Sequence, residues 1–85
     1  MSKSEIIETL IKAQKYVKSR GGQFTAKISI YNTEIIDIQV YFKRKPRSKE
    51  RNFGISTHLL RLDELQEGLE MLLDKHFGTA WREQE

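Results

Sequence analysis

The first twenty residues place apolar side chains at helical spacing. The recurring positions are Ile6, Leu10, Ala13 and Val17, with Ile7 and Ile11 widening the stripe. Because side chains three and four residues apart share one face of a helix, this pattern predicts a helix over residues 4–19. The glycine pair that follows, Gly21-Gly22, favours a helix end at that point.

Two segments then alternate apolar and polar residues, which predicts strands at residues 23–31 and 35–43. In the first strand the core-facing side chains are expected to be Phe24, Ala26, Ile28 and Ile30. In the second strand they are expected to be Ile36, Ile38, Val40 and Phe42. Only a short connection at Asn32-Thr33 separates the strands, so we expect an antiparallel hairpin.

The second half of the chain predicts one more strand and one more helix. Residues 52–59 form the expected third strand, with inward side chains at Phe53, Ile55, Thr57 and Leu59. Residues 63–77 carry an apolar stripe at helical spacing, and Gly78 ends it. We expect residues 79–85 to form a loose tail unless Trp81 docks on the domain.

These elements occur in the order α-β-β-β-α, and each of them has one apolar face. The simplest packing places both helices on one face of a three-stranded antiparallel sheet and leaves the other face open. The sequence of 85 residues therefore predicts a single small α+β domain, residues 1–85.

The positive charge of the chain is concentrated in residues 43–51, KRKPRSKER. This segment has six basic side chains and one acid, Glu50, whereas residues 52–85 have a net negative charge and the whole chain is +3. Pro46 favours a strand end, so we expect the segment to be the loop between the second and third strands. A local positive patch attracts polyanions, of which nucleic acid is the commonest in a cell.

We therefore predict a nucleic-acid-binding protein, with single-stranded DNA or RNA favoured. The expected phosphate contacts are Lys43, Arg44, Lys45, Arg47, Lys49 and Arg51. On the open face of the sheet, Tyr31 and Tyr41 would stack bases beside Lys27. The acidic outer side of the second helix would repel phosphate, which confines the expected contact to the loop and the sheet.

The middle of the chain carries Asp37-Ile38-Gln39, then the basic loop, then Phe53-Gly54-Ile55-Ser56 and the helix LDELQEGLEMLLDKHF. This succession, residues 37–77, resembles the positive cofactor four family of single-stranded-DNA-binding proteins. The resemblance implies a homodimer that holds single strands across curved sheets. The order α-β-β-β-α is also similar to that of double-stranded-RNA-binding domains, although Asp63-Glu64 stand where that family has lysines.

The sequence offers little for catalysis or metal binding. Cysteine is absent, so there is no disulfide and no cysteine-ligated metal. His58 and His76 lack the spacing of metal ligands, and no glycine-rich phosphate loop occurs. We expect a protein that is not an enzyme and has no catalytic residues, no metal and no cofactor. The N-terminus has no apolar signal stretch, so we expect a cytoplasmic protein without a membrane partner.

The basic loop has two other interpretations. A protein-interaction module, such as a small inhibitor or adaptor, would use it to bind an acidic partner surface, with Ile35, Tyr41 and Trp81 as apolar anchors. A loop that only increases solubility is the simplest interpretation. A short open sheet has two edges that need covering, so we also expect a homodimer.

Overall fold

The computed structural model describes residues 3–31 and 34–83. Within them the chain forms two helices and three strands: α1 (Lys3–Ser19), β1 (Gln23–Tyr31), β2 (Ile35–Lys43), β3 (Arg51–His58) and α2 (Leu62–Phe77). Short 3₁₀ helices at Leu59–Arg61 and Ala80–Glu83 precede and follow α2. The predicted order and the α+β class are confirmed. The third strand begins and ends one residue earlier than predicted, and each helix begins one residue earlier.

The three strands form one antiparallel sheet in the order β1-β2-β3. β1 and β2 pair as the predicted hairpin, with Gln23 opposite Lys43 at one end. The predicted turn residues Asn32-Thr33 lie outside the described residues. β3 continues the sheet, with Ile55 opposite Ile38. β2 is therefore the central strand, and β1 and β3 are the two edges.

The core lies between one face of this sheet and the two helices. α1 packs against β1, α2 packs against β3, and the helices contact each other. Because the central strand lies beneath both helices, its inward side chains are buried as predicted: Ile36, Ile38, Val40 and Phe42. They form one apolar cluster with the stripes of α1 and α2.

β1 departs from the prediction on its core-facing side. Phe24 is buried, but Ala26, Ile28 and Ile30 are exposed, with 41% of Ile28 and 48% of Ile30 accessible. β1 is an edge strand, and the helices cover only its first residues. There Gln14 of α1 donates a hydrogen bond from Nε2 to the Phe24 carbonyl oxygen at 3.3 Å. These side chains lie on the predicted face, because they pair with the buried positions of β2, but the core does not cover them beyond Phe24.

α1 shows the same asymmetry between its two flanks. Ile7 and Ile11, which were expected to widen the buried stripe, are 47% and 44% exposed. They share a helical stripe with Gln14, and Gln14 reaches β1, so this flank faces the β1 edge. The opposite flank contacts α2, where Gln66 Nε2 donates to Thr9 Oγ1 at 2.7 Å. α1 therefore has one covered flank and one open flank.

The C-terminal segment docks on the core over residues 79–83, so the expected loose tail is wrong there and its alternative, the docking of Trp81, is found. Trp81 is 2% exposed and packs into the core beside α1. Its indole Nε1 donates to Asp74 Oδ1 at 2.9 Å, and Arg82 donates to both carboxylate oxygens of Asp74. A large aromatic side chain gains most when its ring is buried and its N–H is paired, and both conditions are met here. Residues 84–85 lie outside the described residues.

α2 approaches the sheet closely at Gly68. A methyl group added to Gly68 would overlap the Ile55 side chain of β3. The glycine that costs helix stability therefore permits the helix–sheet contact that covers β3.

Candidate nucleic-acid interface

The basic segment connects β2 to β3, as the sequence predicts. Lys43 is the last residue of β2 and Arg51 is the first residue of β3. Between them the backbone makes one turn, with the Ser48 N–H donating to the Lys45 carbonyl oxygen at 3.0 Å. Five of the six basic side chains are exposed, and Lys43 is half-buried. The loop therefore presents its charge to solvent at one end of the sheet.

The start of this loop is fixed to α2. The Arg44 guanidinium donates a hydrogen bond to the carbonyl oxygen of His76 in the last turn of that helix. The last carbonyls of a helix have no partner within the helix and carry partial negative charge, so they attract a cation. Arg44 is therefore a structural anchor as well as a candidate contact.

The end of α1 packs on the same part of the loop. Gly21 has a φ of +80°, which suits the turn that ends the helix. A Cβ atom added at Gly22 would lie 2.8 Å from the Arg44 carbonyl oxygen and would overlap the Lys43 carbonyl oxygen. The two glycines thus allow the chain to pass directly over the loop, and this brings Arg20 beside Arg44.

A groove of about 750 Å³ opens where these three segments meet. Its charged lining consists of the cations Arg20, Arg44, Lys45 and Lys75 and the carboxylate Asp74. Asp74 is already hydrogen-bonded by Trp81 and Arg82, and the Arg82 hydrogen bond, despite partial burial, holds the pKa of its carboxyl below the ordinary value. The groove therefore offers unmatched positive charge.

Aromatic rings lie among these cations. Tyr16 and Phe77 line the groove, and the Arg20 guanidinium lies over the Tyr16 ring at 4.0 Å from its centroid. Such a cation–π pair holds Arg20 at the groove. Cations interleaved with aromatic rings are the combination that binds phosphates and stacks bases.

The cations of this region act on His76. Its ring stacks on Phe53, with centroids 4.8 Å apart and planes 8° apart. Burial lowers the pKa of His76, and the charges of Lys75, Arg44 and Arg51 lower it further. His76 is therefore a neutral aromatic residue at the edge of the core.

Arg20 and Lys75 were not predicted from the sequence as members of this surface. The signal was present in the predicted topology, because the hairpin register places Gln23, and hence the end of α1, beside Lys43. α2 returns antiparallel to β3, so its last turn ends near Arg51. We define the basic end as the six cations of the loop together with Lys18, Arg20 and Lys75.

The other predicted site residues lie far apart along the open face of the sheet. Tyr41 and Lys43 lie at the basic end and share a shallow pocket with Glu50. Tyr31 pairs with Ile35, six residues from Tyr41 along β2, so the two rings are separated by roughly 20 Å at 3.3 Å per residue. Lys27 lies between them, opposite Gln39. The two tyrosines therefore do not form one stacking platform.

The far end of the sheet carries different chemistry. His58 Nδ1 accepts a hydrogen bond from the Leu60 N–H, and its Nε2 lies 3.9 Å from Glu34 Oε2. The first turn of α2, with Asp63 and Glu64, begins at this end. The molecule thus has a basic end and an opposite end with exposed acids.

Metal and membrane sites have no support in the parts of the chain that the structure describes. No three histidine or acidic side chains lie close enough there to hold a metal ion. None of the described helices is both long and apolar enough to cross a membrane.

Comparison of the chain with models of known protein families, with curated proteins and with solved structures finds no match. The resemblance of residues 37–77 to the positive cofactor four family therefore stays a prediction.

Proposed function

We propose that this chain is a small non-enzymatic nucleic-acid-binding protein that contacts phosphates through the basic end, with single-stranded DNA or RNA favoured. One observation carries the proposal: the ends of both helices converge on the basic loop. Four of the nine cations of the basic end, Arg20, Arg44, Lys45 and Lys75, then line a groove that also holds aromatic rings. A loop that only increased solubility would need none of these contacts.

The groove supports a preference for unpaired bases. Tyr16 and Phe77 lie between cations, and a base that stacks on such a ring leaves its phosphates beside Arg20, Arg44 or Lys45. Bases within a duplex are already stacked on each other and are not available for this contact. Arg47 and Lys49, at the tip of the loop, would extend the phosphate path away from the groove.

The test is binding of a labelled single-stranded oligonucleotide, measured by fluorescence anisotropy at several salt concentrations. Neutralising about four phosphates gives a slope of about −3 for the logarithm of affinity against the logarithm of salt concentration. The double variant Arg47→Glu with Lys49→Glu should lose at least about tenfold in affinity, because two phosphate contacts become repulsive. These two side chains are exposed, and Arg44 is left intact because it anchors the loop.

A matched control carries the same change in net charge elsewhere. Lys12→Glu with Arg61→Glu alters two exposed cations outside the basic end, and the ion pair of Arg61 is with the exposed Glu64 at 3.8 Å. This control should bind nearly as well as the wild type. Equal losses in both variants, or binding that does not change with salt, would contradict the proposal.

Binding to an acidic protein surface is the alternative outcome. Ile35 and Tyr41 are exposed and remain available as anchors, but Trp81 is buried and does not. A protein that purifies with a low 260/280 nm absorbance ratio and one stoichiometric acidic partner would favour this alternative.

A further inference from the structure

β1 is an edge strand, and no strand among the described residues pairs with its outer edge. Phe24 directs its carbonyl oxygen away from β2, since that oxygen accepts the hydrogen bond from the Gln14 side chain. In an antiparallel ladder, alternate residues direct their N–H and C=O groups to the same side. Ala26, Ile28 and Ile30 therefore present backbone donors and acceptors along this edge.

The same residues also present exposed apolar side chains. Ile28 and Ile30 lie on the helix side of the sheet, and Ile7 and Ile11 of α1 face the same edge. β1 runs antiparallel to α1 from the Gln14–Phe24 contact. At 1.5 Å per helical residue and 3.3 Å per strand residue, Ile11 lies near Ala26 and Ile7 lies near Ile28. The edge and the helix flank thus form one apolar strip.

Known devices that protect a sheet edge are missing from β1. The strand has nine regular residues, no proline, no bulge in its pairing with β2 and one charged side chain, Lys27. A long, regular and apolar edge is the arrangement that pairs with another strand.

The strand is complementary to itself. A twofold axis through Ile28 places it opposite the second copy's Ile28, and places Ala26 opposite the second copy's Ile30. Both are pairs of residues whose backbone groups are directed outward, as a ladder requires. The α1 flanks of the two copies would then meet over this strip and bury Ile7 and Ile11.

Charge on the open face favours this register over the neighbouring one centred on Lys27. An axis through Lys27 would place two lysines directly opposite, which is unfavourable. The axis through Ile28 places Lys27 opposite the second copy's Ser29, and Ser29 pairs with Asp37 on β2. Lys27 and the second copy's Asp37 are then two strand spacings apart, about 10 Å between Cα atoms, within reach of an extended lysine.

From these observations we infer that two copies of this chain pair through antiparallel β1 edges, centred on Ile28, into a continuous six-stranded sheet. β1 is roughly 30 Å long, and the smallest extent of the molecule is 18 Å. The contact therefore covers on the order of 500 Å² per copy, less than the roughly 800 Å² of a standard complex. The dimer is accordingly of moderate affinity and depends on protein concentration.

Sedimentation velocity tests this dimer with nuclease-treated protein over a wide concentration range. The wild type should shift from monomer to dimer as its concentration rises. Ile28→Asp should weaken the dimer at least about tenfold, because a charge would be buried at the axis. The side chain is exposed in the monomer, so the variant should remain folded by circular dichroism. Leu60→Asp, at an exposed leucine 88% accessible and remote from β1, is the matched control and should dimerise like the wild type.

A charge exchange tests the register. Lys27→Glu and Asp37→Lys should each weaken the dimer, and the double variant should recover most of the wild-type affinity. A wild type that stays monomeric at all concentrations, or an Ile28→Asp variant that dimerises normally, would overturn the inference. Single charge variants that weaken the dimer without recovery in the double variant would overturn this register. Because nucleic acid is absent from the experiment, its result is independent of the proposed function.

Discussion

On the face of the sheet that carries the helices, the half at β3 is covered and the half at β1 is exposed. We call these halves the covered side and the open side, and both come from the same kind of sequence pattern. On the covered side, β3 lies beneath α2, and Trp81 closes the gap beside α1. On the open side, β1 alternates as regularly as β2, yet Ile28 and Ile30 are exposed. The difference shows that alternation identifies the apolar face of a strand, whereas coverage depends on how many helices the chain has to place over it.

The largest expected effect comes from removing the side chain that closes the covered side. Trp81→Ala should lower the free energy of unfolding by about 3–5 kcal/mol, because it leaves a cavity and removes the indole partner of Asp74. On the open side, Ile30→Ala should cost less than about 1 kcal/mol. Urea denaturation of both variants, at concentrations where the wild type is monomeric, measures the two values. Similar losses for both variants would mean that the two sides are equally packed.

Adding a methyl group should also distinguish the two sides. Gly68→Ala on the covered side should stabilise by less than the roughly 1 kcal/mol that alanine gains over glycine in a helix, because its methyl overlaps Ile55 Cδ1 and that side-chain end must shift. In an Ile55→Val background, which lacks this methyl, Gly68→Ala should stabilise more. Ala26→Val on the open side should leave the stability of the monomer nearly unchanged, because Ala26 is exposed. An equal gain from Gly68→Ala in both backgrounds would show that Ile55 does not limit the space between α2 and β3.

Pairing of two copies through the open side would place two basic ends in one dimer, and this would affect the proposed binding of nucleic acid. In the dimer centred on Ile28, Gln23 of the two copies are ten residues apart along the paired strands, or roughly 33 Å. The two basic ends are then separated by at least this distance, and one long nucleic acid would contact both. We expect oligonucleotides that span this distance to bind at least about tenfold more tightly than shorter ones.

Anisotropy with a series of oligonucleotide lengths measures this gain. Ile28→Asp should bind short oligonucleotides as the wild type does and should lose the gain at longer lengths. A variant that loses affinity for short oligonucleotides as well would place Ile28 in the nucleic-acid contact itself.

The sequence predicts the covered side well because its signals are local. Periodicity located both helices and all three strands, and the short connection at Asn32-Thr33 predicted the hairpin. The core positions of β2 follow from alternation, since a central strand is covered whichever way the helices lie. The basic loop was also found, because its charge is contiguous.

The rest depends on contacts between distant segments. The exposure of Ile28 depends on where α1 lies relative to β1, and the docking of Trp81 depends on a gap that exists only after the helices pack. The basic end needed Arg20, Lys45 and Lys75 to meet from three parts of the chain. Each of these side chains has an ordinary local explanation, so the sequence offers no reason to group them without the predicted topology.

The smallest expected effect concerns the histidine where the covered side meets the basic end. Burial and three neighbouring cations lower the pKa of His76 from its ordinary value of 6.5, so the unfolded chain takes up a proton before the folded chain does. Stability should therefore be constant above about pH 6.5 and should fall as the pH drops below it, toward the lowered pKa of the folded state.

His76→Phe keeps an aromatic ring against Phe53 and removes the titrating group. Urea denaturation of both proteins between neutral pH and pH 5 should show a steeper loss for the wild type. Parallel pH profiles would mean that His76 is as accessible to protons as a residue of the open side, and that the cations of the basic end do not act on it.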